Sequence, residues 1–450
     1  MTLIDLTVPS LQRRGLDTLP VAIIGAGPVG LAAAANLVER GIDFVISEAG
    51  DQVGSSIRQW GHTRLFSPWR HVVDPASRRL LEATGWQMPP AESLPTGTEL
   101  VERYLEPLAA LDEIAGRIRT GVRIDAVARQ GMDRTRTAHR AATPFLLRAH
   151  TPDGVEEFTA RAVIDTSGTY AHPNSLASSG LDPLGLADVA DRVGHALPDV
   201  LGRERDRFAG RHTTVVGAGH SAANTLLALA ELAEQEPETR ITWLIRNAGA
   251  VRVTTSDDDG LAARASIGRR VDALIAAGRI AVVDRFEIVR LGRTERGVRL
   301  VGARAGELVE HDTDLVVSAT GFRPDLGMLR EIRLELDEIV EAPKRLAPLI
   351  DPNVHTCGTV EPHGFAELTH PEPGFFLAGM KSYGRAPTFL LATGYEQVRS
   401  ITAWLAGDLS AASNVELVLP ETGVCSTSLA PDGSSCGTGD ASGGASSCCS

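Results

Sequence analysis

An α/β chain of two Rossmann-like dinucleotide-binding domains, the second inserted in the first and followed by a flexible C-terminal tail, is predicted by three stretches. Residues 19–48 and 211–247 each read as apolar strand, glycine-rich turn, helix and second apolar strand. Residues 375–379 read as a further buried strand that returns after both. At 450 residues the chain exceeds one ordinary core, and this order implies a nested layout. The expected divisions are an arm (1–18), the first part of one dinucleotide-binding domain (19–190), the inserted dinucleotide-binding domain (191–335), the returning part of the first (336–410) and the tail (411–450).

The first unit opens with an apolar strand at 21–24 and turns at Gly25-Ala26-Gly27-Pro28-Val29-Gly30, a complete G-x-G-x-x-G. A helix of good formers follows over 31–40. Gly25 permits the tight turn, Gly27 lets backbone approach a pyrophosphate, and Gly30 lets helix pack on strand. Pro28 and the residues after it open the helix, whose free N–H groups and positive dipole end suit phosphate. The second strand (43–47) closes on Glu48, placed to accept from the ribose hydroxyls of an adenosine.

Residues 51–69 then mix Gly, Ser, Trp, His and Arg without period, and the segment, with Trp60 and His62, is expected to lie along a cofactor. A helix is expected from Thr98 to about Gly116, with Glu102 in its first turn. Strands are expected near 122–128, 145–150 and 161–164. The last of these ends in small residues at Gly168, where the chain can pass close to a flavin or adenosine.

The second unit runs from a strand at 213–216 through Gly217-Ala218-Gly219-His220-Ser221-Ala222 into a helix at 223–233 and a strand at 241–245. Arg246 and Asn247 stand where the first unit has its acid. An arginine there suits a 2′-phosphate that a carboxylate would repel, which makes this the NADPH site. Arg264, Arg269 and Arg270 are candidates to supplement it. Residues 279–317 alternate as strands do and close on Ala319-Thr320-Gly321-Phe322-Arg323-Pro324. The returning strand ends at Gly379, and Met380 and Lys381 lead to a helix over 393–406.

A hydrophobic content of 43% with 22% charged residues is that of a soluble globular enzyme, and a net charge of −13 argues against nucleic acid as a partner. No apolar run is long enough to span a membrane, and the N-terminus lacks the order of a signal peptide, so a cytoplasmic protein is expected. Oligomeric state is left open. The five cysteines are Cys357, Cys425, Cys436, Cys448 and Cys449. None forms a C-x-x-C near a glycine turn, which removes the usual redox pair of a flavin disulfide reductase. From Thr422 on, Gly, Ser and Thr dominate, too polar a composition to offset chain entropy by burial.

The order GAGPVG, Glu48, GAGHSA, ATGFRP and FFLAG resembles the two-dinucleotide-fold flavoproteins, including flavin-containing monooxygenases, Baeyer–Villiger monooxygenases and thioredoxin-reductase-like enzymes. Phe208-Ala209-Gly210 is similar to the segment preceding the NADPH turn of flavin-containing monooxygenases, and Gly194-His195 stands for their motif histidine. The stretches GMKSYGRAPTFLLATGYEQVRS and LVLPETGVCST, with the terminal Ser447-Cys448-Cys449, resemble flavoproteins encoded in bacterial arsenic-resistance clusters.

That resemblance implies an NADPH-dependent FAD enzyme oxidising trivalent arsenicals, arsenite or methylarsenite, with molecular oxygen through a C4a-peroxyflavin. His62, His220 and Lys381 are then candidates for steadying that flavin. Vicinal Cys448-Cys449, with Cys425 or Cys436, suit a soft, thiophilic centre. Cys357 reads equally as a buried small hydrophobe and as a receiving thiol near the flavin. Two alternatives remain: a reductase passing electrons to a thiol, disulfide or soft metal held by the terminal cysteines, and a flavin-bearing metalloid sensor or carrier.

Overall fold

The structure is a computed structural model that describes residues 16–248, 262–351, 363–386 and 389–417. Strand β1 (Val21–Ile24) is wholly buried and leads through the first glycine turn into helix α1 (Pro28–Glu39). The chain continues as β2 (Phe44–Ser47) and the short β3 (Ile118–Arg119), then leaves for an antiparallel sheet of β4 (Arg123–Arg129), β5 (Phe145–Thr151) and β6 (Gly154–Ala160). It returns as β7 (Ala162–Asp165), parallel to β1. All four residues of β1 and of β7 are apolar or shielded, as strands covered on both faces require.

The second unit repeats this plan. An edge strand β8 (Val193–Gly194) precedes β9 (His212–Val216), helix α2 (His220–Gln235), β10 (Arg240–Leu244) and β11 (Ala281–Val283). A second antiparallel excursion, β12 (Glu287–Arg293), β13 (Val298–Arg304) and β14 (Glu307–Thr313), returns as β15 (Leu315–Ser318) beside β9. The last strand, β16 (Phe375–Leu377), rejoins the first sheet against β7 and leads to helix α3 (Leu391–Leu405). The sheet orders are β16-β7-β1-β2-β3 and β8-β15-β9-β10-β11. Each central strand thus has the same kinds of neighbour on both sides, and the second sheet is completed before the first.

Three departures from the sequence reading have local causes. The helix expected from Thr98 starts at Gly97, because Thr96 caps it: its hydroxyl accepts from the Glu99 N–H while Glu99 accepts from the Thr96 N–H. It is also interrupted: after a widened turn at Val101–Leu105 it runs to Ala109, breaks over two residues, and resumes as Asp112–Ala115, with Gly116 at its end as expected. Pro107 has no N–H for the Arg103 carbonyl, and the Trp86 indole donates to that carbonyl instead, at 2.8 Å. Strand β6 was not expected, since its exposed, charged residues carry no apolar alternation. The first residues of the expected tail belong to a helix, Leu409–Ser413, capped by Asp408 and tied to α3 by Ser400 and Arg399. Residues 418–450 lie outside the described residues.

The returning segment is fastened to the first excursion by a buried charge cluster. Glu372 is wholly buried and accepts from Arg129 at 2.7 Å and from Arg140 at 2.8 Å. The Arg129 guanidinium also lies 3.6 Å from the centre of the Phe145 ring. Burial pushes the Glu372 carboxyl up, but the bonds from Arg140, Arg129 and the Arg333 N–H outweigh it and hold it below the usual carboxylate range. The stabilisation is therefore present at neutral pH and is lost as pH falls through the depressed value. Glu372→Gln should cost about 3–5 kcal/mol in urea unfolding at neutral pH, because it strands two buried cations. That difference from the wild type should shrink in acid.

Candidate functional site

The site begins at the carboxyl edge of the first sheet. Gly25 has φ +99°, and a Cβ there would lie 2.9 Å from the Thr166 carbonyl, at the end of β7. A Cβ on Gly30 would lie 2.0 Å from the Gly25 carbonyl, so helix and turn touch through bare backbone. Gly27 differs: a Cβ there meets nothing within 4 Å. Gly27 is also the N-cap of α1, has no side-chain cap, and is followed by Pro28 at the first helical position. The uncapped end of the helix thus faces open space, as a cradle for pyrophosphate requires.

Glu48 stands beside this turn. Its carboxylate accepts from the Ala26 N–H at 2.7 Å and from the Gly50 N–H at 2.9 Å. One acceptor position is taken by the turn and one by the N–H of Gly50, which leaves others that ribose hydroxyls would suit. Gly168 follows β7 at φ +70°. Gly379 lies against α1, where a Cβ would be 3.2 Å from Val29; its N–H donates to the buried Gln397 side chain at 2.7 Å, and the half-buried Met380 follows. Lys381 is wholly buried and donates to Asp165 at 2.6 Å.

The second turn copies the first. Gly217 has φ +130°, and its Cβ would lie 2.2 Å from the Ala319 carbonyl at the end of β15. Gly219, the uncapped N-cap of α2, again has open space where its Cβ would be. His220 and Ser221 form the start of that helix, and Ala222 packs without exposure. Arg246 and Asn247 follow β10 and are exposed, as are Arg269 and Arg270 on the helix Ala262–Ala276. The side chain of Arg264 lies outside the described residues.

Two connections join the cradles. Segment 51–69 is more ordered than its composition suggests: the Gly54 N–H donates to the Ala26 carbonyl of the first turn, and a helix, Ser55–Gln59, follows. Trp60 packs over Gly97, His62 is exposed, and the Phe66 ring lies edge-on to His220 of the second turn at 5.3 Å. The crossing strands of chain also pair. Asn174 N–H donates to the Gly321 carbonyl, Arg323 N–H to the His172 carbonyl, and the Thr320 hydroxyl to the Asn174 carbonyl at 2.8 Å. Tyr170 stacks near Phe322, and burial together with the Glu204 charge pushes its hydroxyl up.

The three candidates for steadying a flavin fall on different elements: His62 is exposed in the segment after Ser55–Gln59, His220 opens the helix of the second turn, and Lys381 is buried just after β16. His195 is exposed after β8. All five cysteines lie outside the described residues, and among the described residues no cluster of three or more His, Cys, Asp or Glu side chains suits a metal ion. No helix of the described residues is long and apolar enough to cross a membrane. Phe66, Asn174 and Asp165 were not singled out by the sequence reading. Of these only Asp165 had a local signal, an acid closing an apolar strand.

The family model for pyridine nucleotide-disulphide oxidoreductases matches residues 22–352. The chain belongs to that family. Among its relatives is a ferredoxin–NADP reductase of Gluconacetobacter diazotrophicus, 28% identical over 316 residues, covering 69% of this chain and 74% of that protein. Among solved structures, the bacillithiol disulfide reductase of Bacillus cereus superposes with a TM-score of 0.63 at 20% identity, over 86% of this chain and 99% of that one. The FAD-bound cadaverine monooxygenase of Erwinia amylovora does so with a TM-score of 0.62 at 12% identity, over 90% and 98%. At those identities the structures carry the fold alone. This family member is a flavin-dependent oxidoreductase that uses FAD and NADPH, and its two open helix ends, with an acid beside one and an exposed arginine beside the other, fit a pair of dinucleotides.

The two glycines separate cradle from packing. Gly27→Ala should leave the unfolding temperature of the flavin-free protein within about a degree, because its backbone suits any residue and its Cβ meets no protein atom, while FAD affinity falls about tenfold or more. Gly30→Ala should lower stability even without FAD. Calorimetry of the flavin-free proteins and fluorescence titration with FAD distinguish the two effects.

Proposed function

We propose that this flavin-dependent oxidoreductase is a monooxygenase whose substrate is a soft nucleophile, with a trivalent arsenical, inorganic or methylated, as the substrate class. One observation carries the first half. The cysteines sit only at Cys357, Cys425, Cys436, Cys448 and Cys449, so neither glycine turn, nor the first sheet before β16, nor the second sheet holds a thiol pair to receive electrons. Oxygen is then the acceptor that needs no further protein group. The terminal cysteines carry the second half, since arsenic(III) is thiophilic and vicinal thiols recruit it.

Bound FAD supplies two-electron exchange with NADPH and reaction with oxygen. The chain's own residues bind and orient. The open end of α1 and Glu48 hold one dinucleotide, and the open end of α2 with Arg246 holds the other by charge on its 2′-phosphate. Phe66 against His220 keeps the two cradles in register. The balance of the reaction is one NADPH, one proton and one oxygen molecule consumed, one oxygen atom bonded to arsenic, and the other released as water.

The reductase alternative draws support from the terminal cysteine pair, which would serve as the electron acceptor. NADPH consumption with methylarsenite decides between them. The monooxygenase reading expects strict dependence on oxygen, a pentavalent arsenical as product, and at most a raised KM when Cys448 and Cys449 are replaced by serine. NADPH oxidation that proceeds anaerobically with a thiol acceptor and vanishes in that variant would contradict it.

A further inference from the structure

Lys344 and Lys381 are the chain's only lysines, and Lys381 is wholly buried. Its ammonium donates to Asp165 Oδ2 at 2.6 Å and to the Ser167 hydroxyl at 3.0 Å. Ser167 in turn donates to Asp165 Oδ1, through its hydroxyl at 2.7 Å and its N–H at 3.1 Å. The three form a closed triangle at the carboxyl ends of two adjacent parallel strands, where Asp165 pairs in register with Leu377. That edge is where doubly wound sheets take their ligands.

Two corners of the triangle adjoin the wall of the first cradle. The Ser167 Cα would lie 3.1 Å from a Cβ on Gly25, and Ser167 itself is exposed. Two residues before Lys381, Gly379 abuts Val29 in the first turn of α1. The ion pair thus spans the two segments between which the glycine turn is held. Stability does not explain it, because an apolar pair of similar volume would serve a buried sheet edge as well or better. A charge there does act, weakly screened, on whatever occupies the adjoining crevice.

We propose that Asp165 and Lys381 are positioning residues for the flavin: they set the width of its crevice and present balanced unlike charges beside it, touching no reacting atom. This rests on FAD occupying the first cradle, not on the identity of the electron acceptor or of the substrate.

The test uses the full chain loaded with FAD and reads FAD affinity by fluorescence and the flavin midpoint potential by dye equilibration. Lys381→Met leaves a lone carboxylate and should lower the potential, whereas Asp165→Asn leaves a lone ammonium and should raise it. Each should weaken FAD about tenfold or more. The double variant should restore the potential while keeping part of the loss in affinity. Loss of a merely structural contact would move both single variants in the same direction, and that result, or unchanged affinity and potential, overturns the proposal. If the single variants do not fold, Ser167→Ala and the double variant decide: FAD loosened severalfold in both supports the proposal, and wild-type affinity in both overturns it.

Discussion

The first glycine of each turn lies against the carbonyl that ends the neighbouring strand, Gly25 against Thr166 and Gly217 against Ala319. No side chain fits at either place, and both positive φ angles favour glycine. The constraint reaches beyond the cradles, because those carbonyls are also the roots of the two chain segments that cross between the sheets. Residues 172–174 and 321–323 pair directly after them. The wall of each cofactor cradle and the connection between the cradles are therefore one continuous piece of backbone. A change at the crossing would be felt within a few residues of both turns.

The two units share strand order, excursion and helix, and differ where the chemistry differs. Glu48 closes the second strand of one, and Arg246 follows the second strand of the other. The acid is held by the backbone N–H groups of Ala26, in the glycine turn, and of Gly50, just after it in the chain, which fixes its orientation. The arginine is exposed. Segment 51–69 touches both turns, through Gly54 and Phe66, so the geometry between the cradles is set by packing as well as by the paired crossings. The buried Glu372 cluster holds the returning segment with β16, which completes the first sheet only after the second exists.

What was legible in the chain was local. Each expected strand or helix of the two turns lies within a few residues of its place, because alternation and helical spacing are properties of a dozen neighbouring residues. The third strand of the first excursion was not legible, since a solvent-facing edge with Glu156 and Glu157 needs no apolar pattern. The helix starts at Gly97 and not at Thr98 because the capping box of Thr96 and Glu99 sets its first residue. Contacts between distant segments left no trace: Arg129 and Glu372 are 243 residues apart, and Phe66 meets His220 from the other unit. Lys381 stood out as a rare lysine, but its partner Asp165 is visible only once β7 and β16 lie side by side.

Hydride passes from NADPH to FAD within one chain only if the two cradles hold the cofactors facing one another. Anaerobic mixing of the FAD-loaded protein with one equivalent of NADPH, followed at the flavin absorption band, tests it most directly. Stoichiometric bleaching, much faster with NADPH than with NADH, is the predicted result. A protein that takes up no flavin, or whose bound flavin neither nicotinamide cofactor reduces, would contradict it.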